Sequence, residues 1–470
     1  MSIAAPEGKG IGSSLISLSL CAIFATGILL FYVFKPGAAR AKKPIGVVIS
    51  GIVRGDPYDR IAAINSLGNQ SMTPVEFAEL FPHFLNNMTD ESEPVRIGTA
   101  SAVGRLLWDA RKVNQPDATF LRYCFRTHTA LVGLLDETSP MLRSTAARSL
   151  GSVAIAGTLD APPARLVACL DDPAEVVRIA ASVGLMEYDQ GPELVVPVVL
   201  RRLPSEGLEV RKAFNDLFWG VRLKPSVLLH LVEGLSSDDR DVCLASTVAI
   251  NQMGREAGPA LPAILTLIRK ELKNPPQSDP RFERRVIEMA LGAVGEIAPD
   301  TPPPPGTVEL LSEVLKQALE TQRILASERT DSPAASFLAE VLKQHNEVIQ
   351  WKLAWSLGIL GRNAAAAVPM LISTFEAASE NRSIIAESLA AITRGTQDED
   401  RVIKTLAKAW TTATPTQRTR FARALRSLGP KSERFVPDLK RVPIDTTPTE
   451  IRRFRFPRSR RGEILRESPK

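Results

Sequence analysis

A short pattern that returns along most of the chain constrains its fold more than any other feature. The pattern is an Arg, a small residue three positions on, an apolar residue seven positions on and Gly eight positions on. Arg143, Ala146, Leu150 and Gly151 match it fully. The endings of successive copies lie 33 to 47 residues apart, except for one interval of 66. A period in the thirties is typical of stacked helical pairs, in which each pair buries its apolar face against the next. The five clearest copies begin at Arg60, Arg96, Arg143, Arg178 and Arg211.

Each copy has the features of two helices joined by a turn. Small and apolar residues recur at helical spacing in residues 95–108 and 142–154, which predicts closely packed inner helices. Outer helices are predicted before them, as in residues 74–87 and 163–170. The turns carry acids that can cap the next helix and interact with its dipole. These turn acids are Asp90, Asp136, Asp171 and Asp172.

Residues 171–185 (DDPAEVVRIAASVGL) show the pattern best: turn acids, a Val-Arg step and an Ala-rich run that ends in Gly-Leu. This resembles the HEAT and HEAT-like (phycobilisome-lyase-type) family of helical repeats, and the resemblance covers residues 56–440. It implies an all-α solenoid of about ten helix pairs. It also implies a surface for binding another protein, and we expect each Arg to reach an acid of an adjacent repeat.

Proline interrupts the repeats. Residues 299–306 (PDTPPPPG) include four consecutive prolines, which exclude a helix and favour a stiff joint. The joint divides the repeats into a first arm, residues 56–298, and a second arm, residues 307–440. Residues 274–280 are predicted to form a loop within one repeat. Unusually long helices are predicted over residues 307–343, interrupted by a polar turn at 327–334.

Residues 11–34 form a run of 24 uncharged residues behind a short tail, residues 1–10. A helix of that length spans about 36 Å, enough to cross a bilayer core of about 30 Å. We therefore predict one transmembrane signal anchor. Alternatives are a signal peptide cleaved near Ala39-Arg40-Ala41 and lipidation of Cys21. The basic linker, residues 35–55, follows the run and places the solenoid in the cytoplasm by the positive-inside rule.

The net charge of +6 comes from two short segments. Residues 35–43 contribute +4 and residues 441–470 contribute +5, so residues 44–440 carry −3. This balance argues against a nucleic-acid groove in the repeats. The tail, residues 441–470, is predicted to be disordered, and it is a candidate for contact with anionic lipid, an acidic protein or nucleic acid. Its candidate contact residues are Arg452, Arg453, Phe454, Arg455, Phe456, Arg458, Arg460 and Arg461.

Catalytic chemistry finds little support in the sequence. HEAT-like deoxyhypusine hydroxylases hold iron through His-Glu pairs, and none of the four His here is followed by Glu. Nothing identifies a bilin site of the HEAT-like lyases. Cys124 and His128 are spaced for one helix face, but a structural zinc site needs four ligands and no companion pair is present. Gly8, Gly10 and Gly12 lack the preceding strand of a phosphate loop. We therefore predict no enzyme activity, no metal and no cofactor.

The sequence thus predicts a single-pass membrane protein that displays a HEAT-like solenoid and acts as a scaffold for an unidentified protein. The alternatives are a tether acting through the Arg-rich tail and, less favoured, a HEAT-like enzyme. Trp351 and Trp355, four residues apart, either belong to the core or form a contact surface. The repeated arginines either form a structural ladder or contact the partner. The candidate partner-binding residues are Arg60, Arg96, Arg143, Arg178, Arg211, Trp351 and Trp355.

Overall fold

The computed structural model describes most of the predicted repeat region. The described residues are 44–67, 74–110, 118–157, 159, 161–221, 223–273, 280–297, 303–327, 333–378 and 381–442. The predicted membrane segment, residues 11–34, and all the candidate contact residues of the tail lie outside these ranges. The chain divides into two compact units, residues 1–71 and 72–470.

The described part of the first unit is one helical hairpin, α1 (Ile45–Arg54) and α2 (Pro57–Ser66). Asp56 caps α2, because its side chain accepts a hydrogen bond of 2.9 Å from the Asp59 amide. Val48 and Ile52 are the buried residues of α1. Helix α1 therefore lies within residues 35–55, for which the sequence predicts only a linker.

The second unit contains nine consecutive helical pairs among its described residues. Odd-numbered and even-numbered helices alternate, and a short helix α21 follows the last pair. The helices are α3 Pro74–Asn87, α4 Glu93–Ala110, α5 Ala118–Gly133, α6 Pro140–Gly157, α7 Ala164–Ala168, α8 Glu175–Leu185, α9 Gly191–Arg202, α10 Leu208–Leu217, α11 Leu228–Leu235, α12 Arg240–Met253, α13 Leu261–Lys273, α14 Pro280–Ile297, α15 Thr307–Ser327, α16 Pro333–Leu360, α17 Val368–Ala377, α18 Arg382–Thr393, α19 Glu399–Thr412, α20 Pro415–Ser427 and α21 Lys431–Phe435.

The even-numbered helices form a continuous row. Each of them packs against the next from α4 to α20. The odd-numbered helices other than α9 pack against their own even partners, whereas α9 packs against α8 and α11. The contact between α14 and α16 continues the row past the Pro-rich residues 299–306, so the two predicted arms pack directly against each other. Repeats that bury their faces against neighbours are the arrangement that the sequence period predicts.

Small residues bring neighbouring even helices close together. A Cβ atom added at Gly184 in α8 would lie only 2.1 Å from the carbonyl oxygen of Ala147 in α6. Hydroxyl groups use the same proximity: Ser149 Oγ donates to the Ala100 carbonyl at 2.9 Å. Ser356 Oγ likewise donates to the Leu291 carbonyl at 3.0 Å. The small residues of the sequence pattern thus set the spacing between repeats.

Within the described ranges, one stretch is long and apolar enough to cross a membrane, Asn346–Ala377. It is not one straight helix, because Gly361 ends α16 with a φ of 54° and a 3₁₀ turn leads into α17. Leu353 and Leu357 on one side of α16 are fully buried. Part of this apolar character therefore belongs to the core between repeats.

Candidate functional site: the face of the even-numbered helices

The repeated arginines close the turn within their own repeats. Nη1 of Arg143 donates to the carbonyl oxygens of Glu137 at 2.9 Å and Thr138 at 2.8 Å, six and five residues earlier. Arg96 and Arg178 make the same pair of bonds to carbonyls five and six residues before them. Each bond satisfies a carbonyl in the turn before an even helix.

The same arginines also reach the next repeat. Nε and Nη2 of Arg143 each donate to one carboxylate oxygen of Asp172, at 2.9 Å. Charge-assisted bonds of this two-pronged kind are among the stronger hydrogen bonds in proteins. The corresponding pairs form a ladder along the turns: Arg96 with Glu137, Arg143 with Asp172, Arg178 with Glu206, and Arg211 with Asp239 and Asp241.

Adjacent acids in one turn point to opposite neighbours. Asp172 pairs backward with Arg143, whereas Asp171 pairs forward with Nη1 of Arg202 at 2.7 Å. One turn is thereby connected to the repeats on both sides. Two further turns divide their acids in the same way: Asp136 pairs with Arg165 and Glu137 with Arg96, and Asp238 pairs with Lys270 and Asp239 with Arg211.

Burial and charge act against each other in the ladder. Burial raises the pKa of Glu206, but hydrogen bonds from Arg178 and Arg202 outweigh it and leave that pKa below its usual value. The pKa of Asp172 is lowered overall in the same way, because bonds from Arg143 and the Ala174 amide outweigh its burial. These bonds therefore favour the ionised forms of Glu206 and Asp172.

The ladder occupies the guanidinium groups that the sequence offers as partner contacts. Arg178 is 7% exposed, and its Nε and both Nη atoms donate hydrogen bonds within the protein. Arg60 lies half-buried in α2 of the first unit. The arrangement of the other four gives them a structural role, and partner contact by any of the five stays a prediction.

The two tryptophans of α16 lie together on its solvent-facing side. The rings of Trp351 and Trp355 are stacked, with centroids 6.3 Å apart and planes 15° apart. Both are half-buried, while Val348 and Ile359 beside them are each 37% exposed. At 100° per residue these four side chains fall within an arc of about 80°. We call Val348, Trp351, Trp355 and Ile359 the α16 stripe.

A second apolar feature escapes a search for sequence motifs. Met141, Val176 and Leu208 are 57%, 47% and 59% exposed. They lie in the first turns of α6, α8 and α10, two or three residues before a ladder arginine. We call these three residues the first-turn row. Their position two or three residues before a repeated arginine is the sequence signal that marks them.

A buried lysine also went unpredicted. Lys352 in α16 is 3% exposed, and its Nζ donates to the Glu288 carbonyl of α14 at 2.7 Å. Asn251 of α12 donates to the next carbonyl, that of Met289, at 3.3 Å. Burial lowers the pKa of Lys352 to about 8, although the nearby carboxylate of Glu288 opposes this shift. These bonds link three even helices.

The described cysteines, Cys124, Cys169 and Cys243, are buried. Burial raises the pKa of Cys124 to about 12 and those of Cys169 and Cys243 to about 11. His128 Nε2 lies 3.2 Å from the Tyr188 hydroxyl, and burial lowers the pKa of the imidazole. Over the part of the chain that the structure describes, no three His, Cys, Asp or Glu side chains are grouped to hold a metal.

No protein-family model and no curated protein matches the chain. Among solved structures it is similar to importin β, with 13% sequence identity and a TM-score of 0.50, over 87% of this chain and 61% of importin β. It is also similar to the karyopherin Kap121p, with 13% identity and a TM-score of 0.47, over 87% of this chain and 48% of Kap121p. An engineered protein matches over 79% of this chain and 96% of its own, with 18% identity and a TM-score of 0.42.

The likeness to importin β shows the fold, an all-α helical-repeat solenoid of the HEAT type. This confirms the fold class that the repeated Arg-to-Gly pattern predicts. The chain spans about three fifths of importin β and about half of Kap121p.

Proposed function

We propose that this chain is a membrane-anchored scaffold that binds a protein partner on the face of its even-numbered helices, without catalysis. The observation that carries the proposal is the first-turn row. Single exposed apolar side chains are normal on protein surfaces. Three in the first turns of consecutive even-numbered helices are different, because adjacent helices lie about 8–10 Å apart.

The α16 stripe supports the same face. Trp is enriched among the residues that carry most of the binding energy at protein interfaces. Both apolar features belong to even helices, and the ladder holds the turns before α8 and α10 fixed beside the first-turn row. A rigid surface loses little conformational entropy on binding, which favours affinity.

A charge-insertion experiment tests partner binding. We would cross-link tagged full-length protein in cells, solubilise the membranes in detergent and compare captured proteins with and without nuclease. The variant Met141→Glu/Val176→Glu/Leu208→Glu should lose a specific protein that the unaltered chain retains in both nuclease arms. The matched control is Val75→Glu/Phe125→Glu/Leu229→Glu, which places three charges on residues of odd helices that are 63% to 67% exposed. Equal capture by both variants would overturn the proposal.

The tail distinguishes a scaffold from a tether. A truncation should remove residues 443–470 and keep Val442, because Nη2 of Arg426 donates to the Val442 carbonyl at 2.7 Å. A scaffold keeps its partner after this truncation. Loss of the partner, or recovery that depends on nucleic acid, would move the function to the Arg-rich tail.

Anchoring is proposed from the uncharged residues 11–34 and the basic residues that follow them. The full-length chain should stay in the membrane pellet after alkaline carbonate extraction, and a chain lacking residues 1–34 should be released. Protease added outside intact cells should cleave the repeats only after the membrane is permeabilised, because the repeats are proposed to lie on its cytoplasmic side. Release of the full-length chain by carbonate would contradict the anchor.

A further inference from the structure

The α16 stripe has the dimensions of a contact between two helices. Val348 and Ile359 are 11 residues apart, which is about 16 Å along a helix axis. The offsets from Val348 to Trp351, Trp355 and Ile359 are three, seven and eleven residues. Offsets of this kind form the seam along which helices pack. On the opposite side, Leu353 and Leu357 are fully buried in the core, so the stripe is a second apolar seam of the same helix.

The packing under the stripe fixes its outward shape. A Cβ atom added at Gly295 of α14 would lie 2.2 Å from Cζ3 of Trp355, so the indole rests directly on the backbone of the neighbouring helix. Trp351 then stacks on Trp355. The two rings therefore form a preformed ridge whose rotamers are held by the core.

Positive charge lies at one end of the stripe. Arg362 follows Ile359 by three residues, and its Nε donates to the carbonyl oxygen of Arg394, at the end of α18. Both arginines are exposed, and neither guanidinium group has a carboxylate partner among the described residues. The buried carboxylate of Glu399 accepts a hydrogen bond from the Gly395 amide and pairs with Lys431 instead. This end of the stripe is therefore complementary to a carboxylate.

We infer that the α16 stripe binds an amphipathic α-helix of a protein partner, which lies along α16 with its acidic end beside Arg362 and Arg394. The inference rests on the proposed scaffold function and names the class of partner segment. The partner helix presents apolar residues at spacings of three and four, which interdigitate with Val348, Trp351, Trp355 and Ile359. An apolar face in register with the stripe supplies affinity, and the carboxylates set the direction of the helix.

Paired photo-cross-linking tests the geometry of the occupant. A photoreactive amino acid is placed in the full-length protein at position 348 or at position 359, and the cross-linked peptides are mapped by mass spectrometry. A helix along α16 gives two attachment points about 11 residues apart on one segment, whereas an extended strand gives points about 5 residues apart. The attachment point from position 359 should lie beside Asp or Glu. A photoreactive group at Lys316, exposed on the odd helix α15, is the control and should not reach this segment.

The charge at the end of the stripe has its own test. Arg362→Glu/Arg394→Glu should lower the cross-linking yield at position 359 by about twofold to fivefold, as expected for exposed charge pairs. Unchanged yield would overturn the assigned direction. The inference of a helical partner segment would be overturned by any of four cross-linking results: attachment points 5 residues apart, lipid adducts, adducts to a second copy of this chain, or no adduct. If cross-linking at the α16 stripe fails but charge insertion in the first-turn row still abolishes capture of a protein, the inference fails and the proposed function stands. If neither experiment gives its expected result, both the inference and the proposed function fail.

Discussion

The side chain of Arg143 bridges two consecutive repeats by binding both carboxylate oxygens of Asp172, each at 2.9 Å. Its remaining Nη1 atom donates to two carbonyls in the turn of its own repeat. One side chain thus satisfies the turn before its helix and fixes the distance to the next turn. Arg178 repeats this arrangement with Glu206, and Arg96 reaches Glu137 through one longer contact of 3.5 Å, so the stability of neighbouring repeats is coupled along the ladder.

Removing one rung should destabilise the protein strongly. Arg143→Ala leaves Asp172 and two turn carbonyls without their donor, and the side chains of this pair are only 13% and 9% exposed. We expect a loss of about 3 kcal/mol in the free energy of unfolding, measured by urea denaturation. Arg143→Lys should recover only part of it, because an ammonium group cannot reproduce the planar fork.

The control for this measurement is the pair Arg165–Asp136, whose side chains are 56% and 57% exposed. Arg165→Ala should cost less than about 1 kcal/mol, since exposed pairs are screened by solvent. If Arg143→Ala and Arg165→Ala have equal effects, the buried rungs are not what holds neighbouring repeats together.

The ladder should make the protein sensitive to acid. The pKa values of Asp172 and Glu206 are lower in the folded chain than in the unfolded chain, where they are about 4. Their stabilisation is therefore complete above about pH 4 and is lost as the pH falls through the folded values. We expect the urea midpoint to fall steeply in this range and the fall to be shallower in Glu206→Gln. This variant should also be less stable at pH 7, because it leaves Arg178 buried without a counter-charge.

An amide in place of one carboxylate changes little in shape, so Glu206→Gln isolates the charge. The matched variant is Asp171→Asn, whose side chain is 67% exposed in its pair with Arg202. It should leave the acid dependence unchanged. The same slope in the unaltered chain and in Glu206→Gln would show that the buried rung does not govern the acid response.

The sequence predicted the repeat because the repeat is local. Ala146 and Gly151 lie at the offsets from Arg143 that return in other repeats. The inner helix that this pattern predicts is α6, in which all three residues are found. The outer helix predicted at residues 74–87 matches α3. The continuation of the row across residues 299–306 could not be predicted in the same way, because prolines report local conformation and not which helices meet on either side.

The candidate site was predicted only in part. Trp351 and Trp355 share a face by helical geometry, so their proximity follows from their spacing. Their exposure does not follow, because it depends on Gly295 in a different helix. Lys352 was missed for a related reason: a lysine between apolar residues gives no sign of burial until the carbonyl of Glu288 is placed beside it.

The buried Lys352 should leave a signature at alkaline pH. Its pKa is lowered from 10.5 to about 8 in the folded chain. Between these values the unfolded chain binds more protons, so this group makes the free energy of unfolding rise with pH. The rise is at most about 3 kcal/mol. We would measure urea unfolding from pH 7 to pH 10 in the unaltered chain and in Lys352→Met.

The difference between those two proteins is the informative quantity, because cysteine thiols of the unfolded chain also titrate in this range. The raised pKa values of the buried cysteines in the folded chain lower stability as the pH rises, and they do so in both proteins. The unaltered chain should gain stability relative to Lys352→Met as the pH increases. A difference that does not vary with pH would mean that Lys352 ionises like an exposed lysine.

The α16 stripe should respond to a single methyl group in the helix beneath it. Gly295→Ala places a Cβ atom 2.2 Å from the Trp355 ring, so the indole has to move. We expect destabilisation of about 1–3 kcal/mol, as for other overpacked sites, and a changed near-ultraviolet circular dichroism signal from the stacked tryptophans. Trp355→Leu should reduce the cost of Gly295→Ala in a double-mutant cycle, because the clashing ring is then absent. Gly133→Ala is the matched control: an added Cβ there meets no atom within 4 Å, and Ala favours the helix. Equal stability of Gly295→Ala and Gly133→Ala would show that Trp355 is not held by contact with α14.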